Sequence, residues 1–216
     1  MSNLSISAAT QVPLHSLACA SADLPAGIGA AAHLLLPHVE RGRHIDAVIL
    51  RAAMEQAFGG SDAAGAWDWK TAYDACEAAT VLFLRKFGLV IRTRAGSPAA
   101  ELSLLGKIAA LLPTHTRRSE ESQALQQFST PIELAFAAAT AAAITPADVV
   151  LEPSAGTGLL AIFAELAGSG LALNELAETR AALLGQLFPC AVTTSYDAAH
   201  IHDHLDDAVR PSVVLM

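Results

Sequence analysis

Cysteine is scarce in this chain. Cys19, Cys76 and Cys190 are odd in number and widely spaced, and no Cys-x-x-Cys pair occurs among the 216 residues. That excludes a disulfide framework and a zinc knuckle and fits a reducing, cytoplasmic setting. Charged residues make up only 16% of the chain and aromatics 5%, against 53% apolar residues. A chain so apolar and so sparsely charged is not a disordered tail. The 14 glycines and 10 prolines are too scattered for a fibrous repeat. Long hydrophobic runs are missing too: strongly apolar stretches such as Leu134 to Ile144 fall well short of the ~20 residues that cross a bilayer, so no membrane segment is expected. The first 22 residues lack a positive n-region, and Pro13 and His15 interrupt their apolar run, so they read as a mobile leader and not as a secretion signal.

Positive charge is the least evenly distributed resource. The formal net charge is −8, which disfavours binding of the whole molecule to a nucleic-acid backbone. Residues 1–118 carry a net +2, whereas residues 119–216 carry a net −10 and only two basic side chains, Arg180 and Arg210. This asymmetry predicts two parts with different roles. The expected division is a flexible leader over 1–25, a helical region over 26–117 and a sheet-containing domain over 118–216.

In the helical region, AGIGAAAHLLLPHVERG and HIDAVILRAAMEQAFGG place apolar residues at three- and four-residue intervals and stop near glycine. WDWKTAYDACEAATVLFLRKFG does the same over more turns, with Gly88 as the expected stop and Arg85 and Lys86 in the last turn. After the Ser97-Pro98 break, AAELSLLGKIAALLP reads as another helix and THTRRSEESQ as a polar connector. PIELAFAAATAAAIT predicts a tightly packing helix with Pro131 in its first turn and Thr130 or Ser129 as its cap.

From there the pattern changes. Four short apolar runs, DVVLEP, GLALNE, CAVTTSYD and PSVVLM, are separated by the helical segments GLLAIFAELAG and LAETRAALLGQLF and by the weaker AAHIHDHLDDAV. Strands alternating with helices predict an α/β fold with a parallel, Rossmann-like sheet of about four strands behind the helical region. Runs so continuously apolar suit strands covered on both faces.

The most informative stretch is VVLEPSAGTGLLAIFAEL: a strand, the acid Glu152, a turn holding Gly156 and Gly158, then a helix. Glycines let the backbone approach a ligand closely, and a helix start offers free N–H groups. Gly156 to Ala161 also satisfies the G-x-G-x-x-A form of the dinucleotide fingerprint, with Glu175 as a ribose-binding acid, which leaves an NAD-dependent oxidoreductase as an alternative. Glu152 argues against it, because a carboxylate beside the loop repels a pyrophosphate. A cationic ligand such as S-adenosylmethionine has the right sign. A nucleoside triphosphate is disfavoured, because the loop lacks a P-loop Lys-Ser/Thr pair. Glu175 ends the second strand and Asp197 follows the third, where the one can meet ribose hydroxyls and the other an adenine amino group. Strand C-termini line one crevice in such a sheet, so the three acids should converge on one elongated ligand.

These residues resemble a family. EPSAGTG is similar to the cofactor motif of adenine-N6 DNA methyltransferases, which have a class I Rossmann-like fold, and QQFSTPIELA resembles the Thr-Pro segment that precedes it. The resemblance covers roughly residues 118–216. It implies S-adenosylmethionine as cofactor, held by Thr130, Pro131, Glu152, Ser154, Ala155, Gly156, Gly158, Glu175 and Asp197. A narrower resemblance covers IDAVILRAAMEQAFGG to LRKFG and LLPTHTRRSEESQALQQFSTP, which look like the N-terminal region of bacterial strawberry notch-type proteins. There a methyltransferase-like module precedes a helicase-like ATPase portion, implying contact with DNA through a larger assembly. Adenine-N6 enzymes also carry an Asn/Asp/Ser-Pro-Pro-Tyr/Phe motif after the fourth strand, where it holds and stacks the extruded base. No such motif occurs among these 216 residues. The expectation is therefore no catalytic residue, an inactive chain by itself, and as the alternative role a noncatalytic interaction module of a DNA-associated protein. With three further class I strands missing, Ser212 to Met216 should form a sheet edge open to self-association or fraying.

Three other groupings read as structural. HIHDH, with His200, His202 and His204, brings its imidazoles to one side only if extended, so a solvated segment is expected and not a metal site. Trp67, Trp69 and Tyr73 near Lys70, Arg85, Lys86, Arg92 and Arg94 are expected to anchor helix packing rather than to bind nucleic acid. Cys76 and Cys190 are expected as buried small hydrophobes.

Overall fold

A computed structural model describes residues 15–114 and 129–216, with side chains described from residue 24 onward. Four helices come first: α1 (His15–Glu40), α2 (Ala47–Phe58), α3 (Trp69–Ala95) and α4 (Pro98–Ala109). Then follow α5 (Ile132–Ala141), β1 (Val149–Glu152), α6 (Ala161–Leu166), β2 (Gly170–Asn174), α7 (Glu178–Leu187), β3 (Val192–Thr194), a 3-10 turn (Ala198–Asp203) and β4 (Val213–Val214). The fold is mixed α/β, with an all-parallel four-stranded sheet behind a helical region, consistent with a partial Rossmann-like fold. Among the described residues no helix is long and apolar enough to cross a membrane.

Local chemistry explains most boundaries. Asp46 caps α2 by accepting from the Val48 and Ile49 N–H groups, Asp68 caps α3 through Thr71 N–H and Ser97 caps α4 through Ala100 N–H. Gly59 and Gly96 end α2 and α3 in the left-handed conformation. Three boundaries depart from expectation. α1 starts at His15, taking in the last eleven residues of the stretch expected to be a leader, and it runs through Pro25 and Pro37. α3 passes through Gly88 and ends at Ala95, so Arg92 and Arg94 occupy the last turn. Gly88 serves close approach instead: a Cβ there would lie 2.5 Å from Leu166 Cδ1 on α6. At α5 it is Pro131, not Thr130 or Ser129, that occupies the cap, with its carbonyl accepting from Ala135 N–H and no side-chain cap. The polar connector after Thr114 lies outside the described residues.

The sheet order is β3-β2-β1-β4. The chain lays β2 and β3 on one side of β1 and then crosses to place β4 on the other, so the strand order reverses at β1, and ligands in such sheets collect at the carboxyl ends of the strands beside that reversal. β4 stands at the edge, as expected, and is pinned at its start. Ser212 N–H donates to Val149 O, and the Ser212 hydroxyl donates to Asp148 at 2.8 Å. The hydroxyls of Thr145 and Ser212 hold the Asp148 carboxyl below its usual range.

Helical region and sheet are not separate bodies. One apolar core joins Ile28, Leu35, Leu84 and Leu105 of the helices to Val150, Ile162, Leu173 and Leu184 of the sheet region. Arg85 on α3 makes a forked pair with Glu165 on α6 at 2.6 and 2.8 Å, and its guanidinium lies 4.8 Å from the Phe188 ring centre. The opposite sheet face carries a smaller cluster of Leu151, Ala172 and Ile201, backed by Leu205 and Val209.

Candidate functional site

The carboxyl ends of β1, β2 and β3 are tied together by one side chain that sequence reading missed. Asn174, fully buried at the end of β2, donates to Pro153 O at 2.9 Å and Tyr196 O at 2.8 Å. Its side-chain oxygen accepts from the Thr194 hydroxyl and from Tyr196 N–H. A single amide thus bonds the residue after β1 and the residues closing β3, with its donors and acceptor all used. The register pairs Glu152 with Leu173 and Asn174 with Thr194, so the residues after each strand emerge at one sheet margin.

Between β1 and α6 the chain turns tightly. Ala155 N–H donates to Asn174 O, Gly158 N–H to Ala155 O, and Gly156 adopts φ +56. Gly156 presents its N–H to the Glu175 carboxylate at 2.9 Å, and Ala177 N–H binds the other oxygen at 2.9 Å. Gly158, at φ +87, has a different use. A Cβ there would lie 2.2 Å from the Phe188 ring, so this glycine faces the core and lets α7 close on the loop.

Thr130, Glu152, Ser154, Ala155 and Gly156 line one cavity of about 30 Å³ together with Ser129, Thr157 and Arg180. By volume it holds roughly one or two water-sized groups. Pro131 starts α5 next to Thr130 but does not line that cavity. Asp197 stands outside it, exposed at the neighbouring strand tip, where it caps the 3-10 turn by accepting from Ala199 N–H at 3.0 Å. The margin therefore has a closed end at β1 and an open end beyond β3.

Two charges at the closed end are unusual. Glu152 is 95% buried, and its Oε2 has no hydrogen-bond partner among the described residues. Burial pushes its carboxyl well above the usual range; the Ala161 N–H opposes that shift, and the nearby Glu175 carboxylate adds to it. Arg180, equally buried on α7, directs Nε and Nη2 to Asp74 of α3 at 3.1 and 2.6 Å. Burial opposes its charge, but Asp74, Glu77 and Glu175 outweigh that and hold the guanidinium firmly protonated. Glu77, one turn along α3, accepts from the Thr157 hydroxyl at 2.6 Å, and Lys70 lies 3.4 Å from Asp74. The helical region thus supplies half the charged groups of the loop site. No spacing rule in the sequence connects Asp74 or Glu77 to residues 80 and more positions away.

The other groupings resolve simply. Among the described residues no cluster of three or more His, Cys, Asp or Glu side chains could hold a metal ion. His204 stacks on Tyr196 with ring centres 4.1 Å apart, and His202 meets Asp203 at the surface. Trp67 is buried and meets Trp69 edge-on, and Lys86 and Arg92 pair with Glu40 and Glu101. Cys76 is buried, which pushes its thiol pKa up, but Cys190 is exposed, contrary to expectation, because it sits in the turn between α7 and β3. Larger clefts of about 510 and 850 Å³ lie elsewhere, beside Arg92 and Phe136 and beside Arg51 and Tyr73. Of their charged groups, Arg92, Glu101, Arg51 and Asp46 are engaged locally, in the Arg92–Glu101 and Arg51–Asp62 pairs and the Asp46 cap. Comparison of the chain with protein-family models, characterised proteins and solved structures finds no match.

Proposed function

We propose that the strand-tip crevice binds S-adenosylmethionine, making the chain a cofactor-binding module of the adenine-N6 DNA methyltransferase type. The observation that carries this reading is the buried Glu152 oxygen with no donor, at the head of a margin bearing Glu175 and Asp197. A buried carboxyl oxygen without a donor is costly, and a ligand ammonium relieves that cost. The residues fit such a group. Glu152, with Thr130 and Ser154, would hold the amino-acid end, Glu175 the ribose, and Asp197 the adenine end in the open part of the margin. When bound, the cofactor supplies an electrophilic methyl group on sulfonium. The 216 residues contain no Pro-Pro pair, hence no base-stacking motif, so the reading assigns binding and not methyl transfer to them.

Two features weigh against NAD despite the glycine pattern. The Ala161 N–H at the start of α6, which a pyrophosphate would need, faces Glu152. Gly158, the second fingerprint glycine, is directed at Phe188. Calorimetry with S-adenosylmethionine, S-adenosylhomocysteine and NAD tests the reading. Binding of the two adenosyl ligands and not NAD is expected; tighter NAD binding would overturn it. A parallel assay of methyl transfer to adenine-containing DNA should show none from these residues, and turnover would refute the assignment of binding alone. A role as an interaction module of a DNA-associated assembly is compatible with the same site, with the bound cofactor acting as a structural ligand.

A further inference from the structure

The closed end of the crevice is lined by two ionisable side chains of opposite character, Glu152 and Arg180. Arg180 Nε and Nη2 are both engaged by Asp74, whereas Nη1 makes no hydrogen bond among the described residues. Nη1 lies 4.0 Å from the position a Cβ on Gly156 would take, and the side chain lines the same 30 Å³ cavity as Glu152. A guanidinium has five N–H donors in a fixed fork, and the outer arm left over is directed at whatever lies against the loop. Asp74 fixes that fork on α3, with Lys70 behind the carboxylate, so the arm cannot swing without breaking a buried ion pair. One small cavity is thus lined both by a buried acceptor lacking a donor, Glu152 Oε2, and by a guanidinium whose third nitrogen is not engaged by Asp74.

We infer that Arg180 is a specificity-determining residue, its free Nη1 arm recognising the α-carboxylate of an amino-acid-bearing ligand whose ammonium meets Glu152. The inference deepens the adenosyl-cofactor reading and rests on it. A zwitterionic α-amino acid head carries both charges on one carbon, so a single group can meet a carboxyl and a guanidinium that line the same cavity. An adenosyl ligand lacking the carboxylate leaves the guanidinium arm unsatisfied. Positive and negative partners on two different elements, α7 and β1, fix the orientation of the head as well as its affinity.

The test uses the full chain and calorimetry with S-adenosylmethionine against its decarboxylated form, and S-adenosylhomocysteine against 5′-methylthioadenosine. Loss of the carboxylate should weaken binding about tenfold or more in the wild type, as expected for a charge-assisted hydrogen bond. In Arg180→Lys, which keeps a cation for Asp74 but loses the forked arm, that gap should shrink severalfold while circular dichroism stays unchanged. Equal affinity for the ligands with and without the carboxylate in the wild type overturns the role of Arg180 and leaves the adenosyl site standing. Failure of all four ligands to bind the wild type removes the adenosyl site and the inference together.

Discussion

The helical region and the sheet region bury their acids among different partners. On the helical side two buried acids of α3, Asp74 and Glu77, meet a guanidinium and a hydroxyl contributed by the sheet side. On the sheet side the acid at the first strand tip, Glu152, is buried with one oxygen unpaired. The α3 contacts hold two layers together, whereas Glu152 leaves an oxygen open beside the loop cavity that it lines. The comparison also reinterprets the charge asymmetry. The acidic C-terminal part has only two basic side chains, and one of them, Arg180, is sunk between the layers.

The largest test of this contrast is the ion pair that joins the layers. Arg180→Met should lower stability by roughly 3–5 kcal/mol in urea unfolding, because Asp74 is left buried beside Glu77 with its forked partner gone and Lys70, 3.4 Å away, as its remaining cation. Lys86→Ala, which removes a pair with Glu40 at the surface, should cost less than about 1 kcal/mol. Equal effects would break the distinction between layer-joining and surface pairs.

Close behind come the glycines at the layer contacts. Gly158→Ala meets both a positive φ and the Phe188 ring and should cost about 3 kcal/mol or more. Gly88→Ala, against the flexible end of Leu166, should cost about 1–3 kcal/mol. Gly185→Ala, in open space on α7, should stabilise by roughly 0.5–1 kcal/mol. Thermal melts of the three variants would rank them.

Glu175→Ala should abolish adenosyl-ligand binding, and it should also destabilise by about 1–3 kcal/mol, since its carboxylate holds the Gly156 and Ala177 N–H groups. Calorimetry combined with unfolding separates the two losses, and unchanged affinity in a folded variant would count against the site.

The smallest effect is a pH dependence. Glu152 is raised in the folded state, so its favourable protonated form is fully present below its ordinary value of 4.5, and stability declines as pH rises through the folded value. Glu152→Gln removes this penalty. Its melting temperature relative to the wild type should therefore increase steadily above about pH 4.5 and be flat below it. A difference constant from pH 4 to 8 would mean that Glu152 is not desolvated. For the same reason, a ligand ammonium at Glu152 should release protons on binding, visible as a dependence of calorimetric heats on buffer.

Much of this architecture was legible in local patterns. Apolar runs of four to five residues, the glycine turn and the acids after successive strands are features of neighbouring positions, and all four strands fall inside the expected runs. The misreadings share a cause. Gly88 was expected to end α3 because glycine usually ends helices, but a distant Leu166 requires the absence of a side chain there. Cys190 was expected to be buried from its apolar neighbours, but the turn that carries it is set by α7 and β3. Asn174 and Arg180 carry no motif at all. Their roles exist only once strands and helices distant along the chain are side by side.

That separation governs how the protein must fold. The Thr157–Glu77 bond closes 80 positions of chain and the Arg180–Asp74 pair closes 106. Each loop has to be closed before its contact rewards it, so these contacts belong to the late, slow part of folding. Helices α1 to α4 can form from nearby contacts, but the glycine turn gains its hydroxyl partner only when α3 docks. Unfolding should accordingly proceed as one cooperative transition in which the crevice and the helix layer are lost together.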